Sequence, residues 1–378
     1  MRKNPAQYRG ETENHEKFDS ACGKPRCADM AGRRHHILPR FLLKGFAKEV
    51  RSEQIYTWEY AKGRRPLPAN INNVGVEGDY YGSPSDDVQA DAAITELERT
   101  YGSLVEGLRT IPAGPVRDLR VASFVAHLSA RTKNLRLAFQ EGADQLMEEL
   151  GNLAGDEDRL VDVLRPKIVN EAYLRTEVLK QVPQKLTPAM ERQLMPMMRP
   201  LAERFLLENK GQIARQMALA IQLLRGAIAQ TAATGQNRAM LRFDGETPKA
   251  KLWEQLHWRT ETRTEPLLLG DSGCLFALEG DPQLHPYPED PKNIATLYLP
   301  LTKGLLLVGS ARRDAPAADT ATLNEAAACC SRYFYASALG PEQHGHFQPL
   351  IGTRAVFFSR DRIAEIAREC FEKMGQPP

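Results

Sequence analysis

Long apolar runs are missing from this chain. Residues 1–34 are polar throughout, without the h-region of a secretory signal, and no later stretch reaches the length of a membrane span. A charge excess is missing too. Fifty Lys and Arg oppose 48 Asp and Glu, a formal net charge of +2, so no global field attracts nucleic acid or an anionic membrane, and either partner would need a local patch. Cysteine is scarce: the six thiols have no repeated spacing, and the adjacent Cys329 and Cys330 suit a reducing compartment better than a disulfide framework. The expectation is a cytoplasmic protein with no membrane association. The chain also lacks a GxxxxGK[ST] phosphate loop, a GxGxxG turn after a strand, a GxSxG elbow and an HExxH helix. Those absences argue against a nucleotide-driven motor, a dinucleotide oxidoreductase and a common serine hydrolase, and leave no nucleotide-cofactor motif.

What the chain does have is concentrated in residues 35–46, His-His-Ile-Leu-Pro-Arg-Phe-Leu-Leu-Lys-Gly-Phe. Paired imidazoles before a Pro-Arg step can hold a metal, move a proton or grip a phosphate, because imidazole titrates near neutrality and guanidinium presents a planar fork of donors. An HNH-type nuclease would place such a histidine on a β-hairpin with further ligands within a few tens of residues. Here Pro39 predicts a helix start, and the next histidine is His127, which weakens that reading. A zinc knot with Cys22 and Cys27 fails on spacing, since four residues separate the thiols and no second ligand pair follows.

The pattern along the chain predicts an α+β fold, with a mixed or antiparallel sheet built from N- and C-terminal parts and a large helical insertion in the middle. Residues 1–30 read as a disordered or extended arm, 31–340 as one body, and 341–378 as a C-terminal extension with a helix. Within the body, 86–240 is helical and 241–310 is rich in strands. Ile94, Leu97, Tyr101, Leu104 and Leu108 hold a 3.6-residue period, with Glu98 one position off the stripe. A long helix after Pro115 is read to carry Leu119, Phe124, Leu128 and Leu135 on one side, with His127 and Arg131 sharing a face. Phe205, Ile213, Met217, Ala220 and Leu224 read as a core-facing stripe. Strands are expected at 265–270 and 274–278, joined by Asp271-Ser272-Gly273, and at 294–299 pairing with 305–309. Residues 321–338 and 361–374 read as helices, and His344-Gly-His346 as a weak, solvated chelating pair.

In order along the chain, His36, Pro39, Phe41, Leu43 and Phe46 form a His-x-x-Pro-x-Phe-x-Leu-x-x-Phe signature. Tyr80-Tyr81, a Glu-rich segment from Glu96 to Tyr101, Arg131-Thr132, Asp271, Pro300-Leu301 and Leu323-Asn324 follow. The arrangement resembles a mostly bacterial family known as domain-of-unknown-function family 4238, over about residues 33–340. The family often has Asp-Asn-Pro where this chain has Asp271-Ser272-Gly273. The resemblance implies a shared architecture and a shared polar site, with no established chemistry.

The expected site gathers His36, Glu98, Arg131 and Asp271. His36, Glu98 and Asp271 are the metal-ligand candidates for a divalent ion, Mg²⁺ or Mn²⁺ before Zn²⁺, with His36 alternatively a base and Arg131 on a phosphate. His35, Arg40 and Tyr81 are the expected substrate contacts. The first functional expectation is a metal-assisted phosphodiester hydrolase, nuclease-like, in a bacterial defence or toxin setting. The alternative is a non-catalytic module binding nucleic acid or protein. Glu98 and Arg131 by themselves read equally as a structural ion pair between helices.

Overall fold

The computed structural model describes residues 34–47, 49–51, 54–78, 84–181, 187–241, 247–356 and 360–373. The arm read at 1–30, Cys22, Cys27 and Tyr81 lie outside these described residues.

The chain opens with β1 (Arg34–His36), α1 (Arg40–Leu43) and a 3-10 turn over 44–46. Three strands follow, β2 (Glu49–Arg51), β3 (Gln54–Ala61) and β4 (Leu67–Asn70), and then the short β5 (Val76–Gly78). Pro39 stands at the N-cap of α1, where its missing N–H costs no hydrogen bond. The helical middle comprises α2 (Pro84–Thr110), α3 (Arg120–Arg131), α4 (Lys133–Gly155), α5 (Glu157–Ile168), α6 (Glu171–Gln181), α7 (Pro188–Glu208) and α8 (Lys210–Leu241). After α9 (Pro248–Trp253) the chain turns to strands: β6 (His257–Thr262), β7 (Leu269–Gly270), β8 (Leu275–Leu278), β9 (Leu284–His285), β10 (Ile294–Thr302) and β11 (Leu305–Ser310). It finishes with α10 (Thr320–Cys330), β12 (Phe334–Ser337), α11 (Pro341–His344) and α12 (Arg360–Lys373).

The class is α+β, as the sequence predicts, and the strands divide into two antiparallel sheets and a ribbon. One sheet has the order β6-β11-β10-β8-β9 and is wholly C-terminal. The other, β2-β3-β12-β7 with β4 on β3, joins strands from both ends of the chain. The ribbon pairs β1 with β5, His36 opposite Val76. Among the described residues no helix is long and apolar enough to cross a membrane.

One continuous core runs under both sheets and the first helices, from Leu38, Leu42, Leu43 and Phe46 through Leu104, Leu108, Phe124 and Leu128 to Leu297, Leu299, Leu306 and Val308. Two glycines permit this closure. At Gly45 an added Cβ would overlap the Leu301 carbonyl, so only glycine lets the 3-10 turn lie against the β10–β11 connection. Gly75 has φ of 59°, and a Cβ there would press into the Phe334 ring.

Several expectations are corrected. The helix read through Leu135 breaks at Thr132, whose extended backbone and side chain cap α4 by accepting from the Leu135 N–H. Leu119, at 65% exposure, faces solvent. The stripe from Phe205 to Leu224 is a core face only in its middle: Ile213 and Met217 pack on the Leu153, Leu160 and Ala214 cluster, whereas Phe205 is 61% and Leu224 51% exposed. Hydrophobic period alone does not say what stands opposite a helix. The strands flanking residues 271–273 are not partners, since β7 pairs with β12 and β8 with β10. Residues 334–337, read as the end of a helix, are a fully buried strand, because Ser331 takes extended geometry at the C-cap of α10 and Phe-Tyr-Ala-Ser then inserts between β3 and β7. Strand β6 went unread. His344 is buried, its Nδ1 2.7 Å from Ser337 Oγ, and is no solvated chelator.

Asp271 holds the bend at which the chain leaves β7 of one sheet for β8 of the other. Its carboxylate accepts from the Asn134 side-chain amide at 2.8 Å and from the backbone N–H groups of Arg332, Tyr333 and Phe334 at 2.9, 2.7 and 3.2 Å. The group is completely buried, and burial pushes its pKa up against those four donors. The side chain therefore stitches the end of β7 to the start of β12 and to α4. Asp271→Asn replaces acceptor lone pairs by N–H donors facing N–H donors. It is expected to lower unfolding stability by about 3 kcal/mol, the scale for orphaned buried groups, in urea denaturation; a loss below about 0.5 kcal/mol would contradict this structural role.

Candidate functional site

Three of the four expected site residues meet. Strand β1 presents His36, α2 presents Glu98, and Arg131 ends α3 behind them. The Arg131 side chain is 2% exposed, yet it carries a full charge. Its Nη1 lies 2.5 Å from Glu98 Oε1, and its Nη2 donates to the His36 carbonyl at 2.6 Å. One guanidinium fork thus ties a strand to a helix. Glu98, 26% exposed, and His36, which is only partly buried, reach toward the surface, while Arg131 lies behind them.

His36 is held as a neutral imidazole. Its pKa is lowered to about 4, first by burial and then by Arg40, with Glu98 and a hydrogen bond to the Ile71 backbone opposing and Arg131 reinforcing. Nε2 is buried and has no hydrogen-bond partner among the described residues. His35 is 4% exposed and, by strand alternation, points to the other face of β1. The two imidazoles therefore face opposite ways, and His35 is buried away from the cleft that adjoins Glu98.

Asp271 does not join this group. Its oxygens are used by Asn134 and the 332–334 backbone, and neither His36 nor Glu98 contacts it. The physical reason is the register of β7 against β12, which turns the 271–273 bend into the interior. Among the described residues no group of three or more His, Cys, Asp or Glu side chains is placed to hold a metal ion. His36 and Glu98 alone would be two donors, fitting only an ion that brings phosphate or water ligands with it.

In front of Glu98 lies an open cleft of about 950 Å³, walled by α1 with its 3-10 turn, the turn after β4, and α2. Arg40, Phe41 and Lys44 line one wall, Ile55 and Asn72 another, and Glu98, Arg99, Gly102, Glu106 and Arg109 the third. Not all of these charges are available. Arg109 donates to the Leu301 and Leu42 carbonyls at 2.6 and 3.3 Å, and Arg99 pairs with Glu96. Arg40 touches only the Asn72 amide oxygen, at 3.2 Å, and neither Arg40 nor Lys44 forms an ion pair among the described residues. Four positions apart, both project from one side of the same short helical segment.

Sequence reading found Arg40 and missed Lys44, Asn72 and Arg109. Lys44 occupies a variable position of the His-x-x-Pro signature, where only its four-residue offset from Arg40 signals it. Asn72 sits in a turn, and nothing local distinguishes it. Tyr81 lies outside the described residues.

The chain belongs to the family described as "Protein of unknown function (DUF4238)", whose model matches residues 34–326. No curated protein and no solved structure matches it. The family match spans every member of the Arg131 cluster and the whole cleft wall.

Glu98→Gln keeps the shape of the ion pair and removes its charge. It is expected to cost about 1–3 kcal/mol of stability, below the range for fully buried pairs because Glu98 retains solvent contact. Thermal or urea unfolding measures it, and a Gln variant as stable as wild type would deny Glu98 the neutralising role.

Acid should also unfold the protein early. Burial is the first cause of the lowered pKa of His36, His127 and His344, to about 4, 3 and 4, helped respectively by Arg40, Arg131 and His346. The unfolded chain takes up these protons near pH 6.5, the folded chain only well below, so the unfolded state binds more protons in between. Stability therefore falls from pH 6.5 toward pH 4, by up to about 1.4 kcal/mol per pH unit per histidine. Urea midpoints at pH 7.5 and 5.0 should differ accordingly; equal midpoints would mean these imidazoles are not kept neutral.

Proposed function

We propose that this protein binds a phosphodiester ligand, single-stranded nucleic acid, in the cleft between the α1 segment and α2. The observation that carries the reading is the pair of uncompensated cations, Arg40 and Lys44, lining an open cleft beside Phe41. In a chain whose charges otherwise nearly cancel, two neighbouring basic side chains without acidic partners among the described residues form a local patch, and guanidinium matches the phosphate oxygens. The ring of Phe41, part-exposed and backed by Phe124 at 5.9 Å between centroids, offers a face on which a base can stack. Glu98 supplies the opposite charge on the facing wall and limits how deeply an anion settles.

Hydrolysis of the bound phosphodiester is a second reading, resting on the neutral imidazole of His36, which feels the Glu98 charge from behind the cleft wall while its Nε2 is buried and without a partner among the described residues. A neutral imidazole of this kind takes a proton from water or hydroxyl, and a divalent ion arriving with the phosphate would supply charge neutralisation.

Fluorescence anisotropy with labelled single-stranded RNA and DNA oligomers tests the binding reading. Arg40→Ala/Lys44→Ala is expected to weaken binding at least about tenfold at low salt and to flatten the logarithmic salt dependence by about 1–2, the signature of lost phosphate contacts. Wild type that binds neither oligomer, or a double variant that binds as wild type does, sinks the proposal. Incubation of the same oligomers with Mg²⁺ or Mn²⁺ separates the readings: cleavage that His36→Ala abolishes without loss of binding supports hydrolysis, and intact oligomers leave binding alone.

A further inference from the structure

A second chemically distinctive group lies away from the cleft, where α9 packs on α3. Lys249 enters the interior from the first turn of α9, and its Nζ lies 2.9 Å from Ser129 Oγ. The ammonium sits over two rings, 4.7 Å from the centroid of Trp253 and 4.2 Å from that of Tyr287. Among the described residues no carboxylate faces it. Its neighbours are the Ser129 hydroxyl from α3, Trp253 of its own helix, Tyr287 after β9, and the buried Cys274 thiol ahead of β8. Without a counter-ion among the described residues, the Lys249 ammonium is stabilised only by two ring faces and one hydroxyl. That stabilisation is small against the cost of desolvating the charge.

The hydroxyl is not a poised nucleophile. Ser129 Oγ donates its hydrogen to the Ala126 carbonyl at 2.9 Å, so toward Lys249 it can only accept. A serine–lysine hydrolytic pair would need that hydrogen directed at the amine. The hydrogen-bond direction leaves the amine as the reactive partner.

We infer that Lys249 is a carbonyl-reactive amine, a site at which a small aldehyde is captured as an imine beside the Trp253 and Tyr287 rings. The neutral amine attacks the carbonyl carbon, a proton passes from nitrogen to the former carbonyl oxygen, and loss of water from the carbinolamine leaves the C=N bond. Burial supports the availability of the neutral form, lowering the Lys249 pKa to about 7, with Cys274 opposing. At pH 7 an ordinary lysine is neutral in roughly one molecule in 2,500, so the advantage in reactive amine is large.

Propanal with cyanoborohydride tests the assignment on the full-length wild-type protein. The hydride reduces the imine and solvent supplies the proton, giving an N-propyl lysine that peptide mass mapping locates and quantifies. At pH 7 Lys249 is expected to be alkylated at least about tenfold faster than exposed lysines such as Lys62 and Lys303, with its rate levelling off above pH 8 while theirs still climb. An unchanged far-UV circular dichroism spectrum verifies that the labelled protein is folded. Labelling of Lys249 no faster than of Lys62 and Lys303, or labelling that occurs only in urea, overturns the proposal.

Discussion

The candidate site depends on one buried cation. Arg131 ends α3 inside the protein, with a side chain 2% exposed, and a guanidinium in that position is tolerable only if its charge and its donors are met. Glu98 supplies the charge from α2, and the His36 carbonyl takes a second donor from β1. Three elements far apart in sequence therefore hold fixed positions relative to each other. A purely apolar contact would hold them together as well, but it would not fix their register, since apolar surfaces tolerate sliding and a two-pronged guanidinium does not. The cleft inherits its shape from this arrangement, because Glu98 is at once the counter-ion of Arg131 and part of the cleft wall.

Asp271 shows the opposite outcome for a residue with the same apparent promise. An acidic residue at a bend between two apolar strands suggests either a turn or a metal ligand. In the fold it is neither a surface turn nor a ligand: the bend passes from one sheet to the other, and the carboxylate caps three successive backbone N–H groups at the start of β12. A carboxylate that already meets four donors has little left to offer a metal. The same logic makes His344 structural, its ring held by Ser337 and its carbonyl by the Tyr335 hydroxyl.

How much was legible in the sequence follows from the range of each signal. The periodic stripe of α2 and the off-stripe position of Glu98 are local, and both stand as read: Ile94, Tyr101, Leu104 and Leu108 are buried, while Glu98 sits at the boundary. The α1 segment announced itself through Pro39. The α+β class was visible in the change of pattern after residue 242. Sheet membership was not, because β7 and β8 differ only in which distant strand they meet, and no window around 265–278 contains that information. The helix break at Thr132 was written in a capping residue but masked by an apolar period that continues to Leu135. Arg131 was recognised as a candidate, and its burial was not, since a lone arginine on an amphipathic helix normally reaches solvent.

The range of electrostatics also decides what kind of recognition this cleft can perform. The whole chain carries +2 with 98 charged side chains, so beyond about 8 Å, the screening length at physiological salt, an approaching polyanion meets almost no net field. Arg40 and Lys44 matter only at contact distance, and Glu98 across the cleft cancels part of their attraction. A ligand drawn in by charge alone would find many equivalent surface lysines. What distinguishes this place is the combination within one cleft: two unpaired cations, the Asn72 amide, the Phe41 ring, and a fixed carboxylate whose own partner is buried behind it. For the proposed ligand, selectivity would therefore come from the spacing of short-range contacts, and that spacing is set by Arg131 at the end of α3.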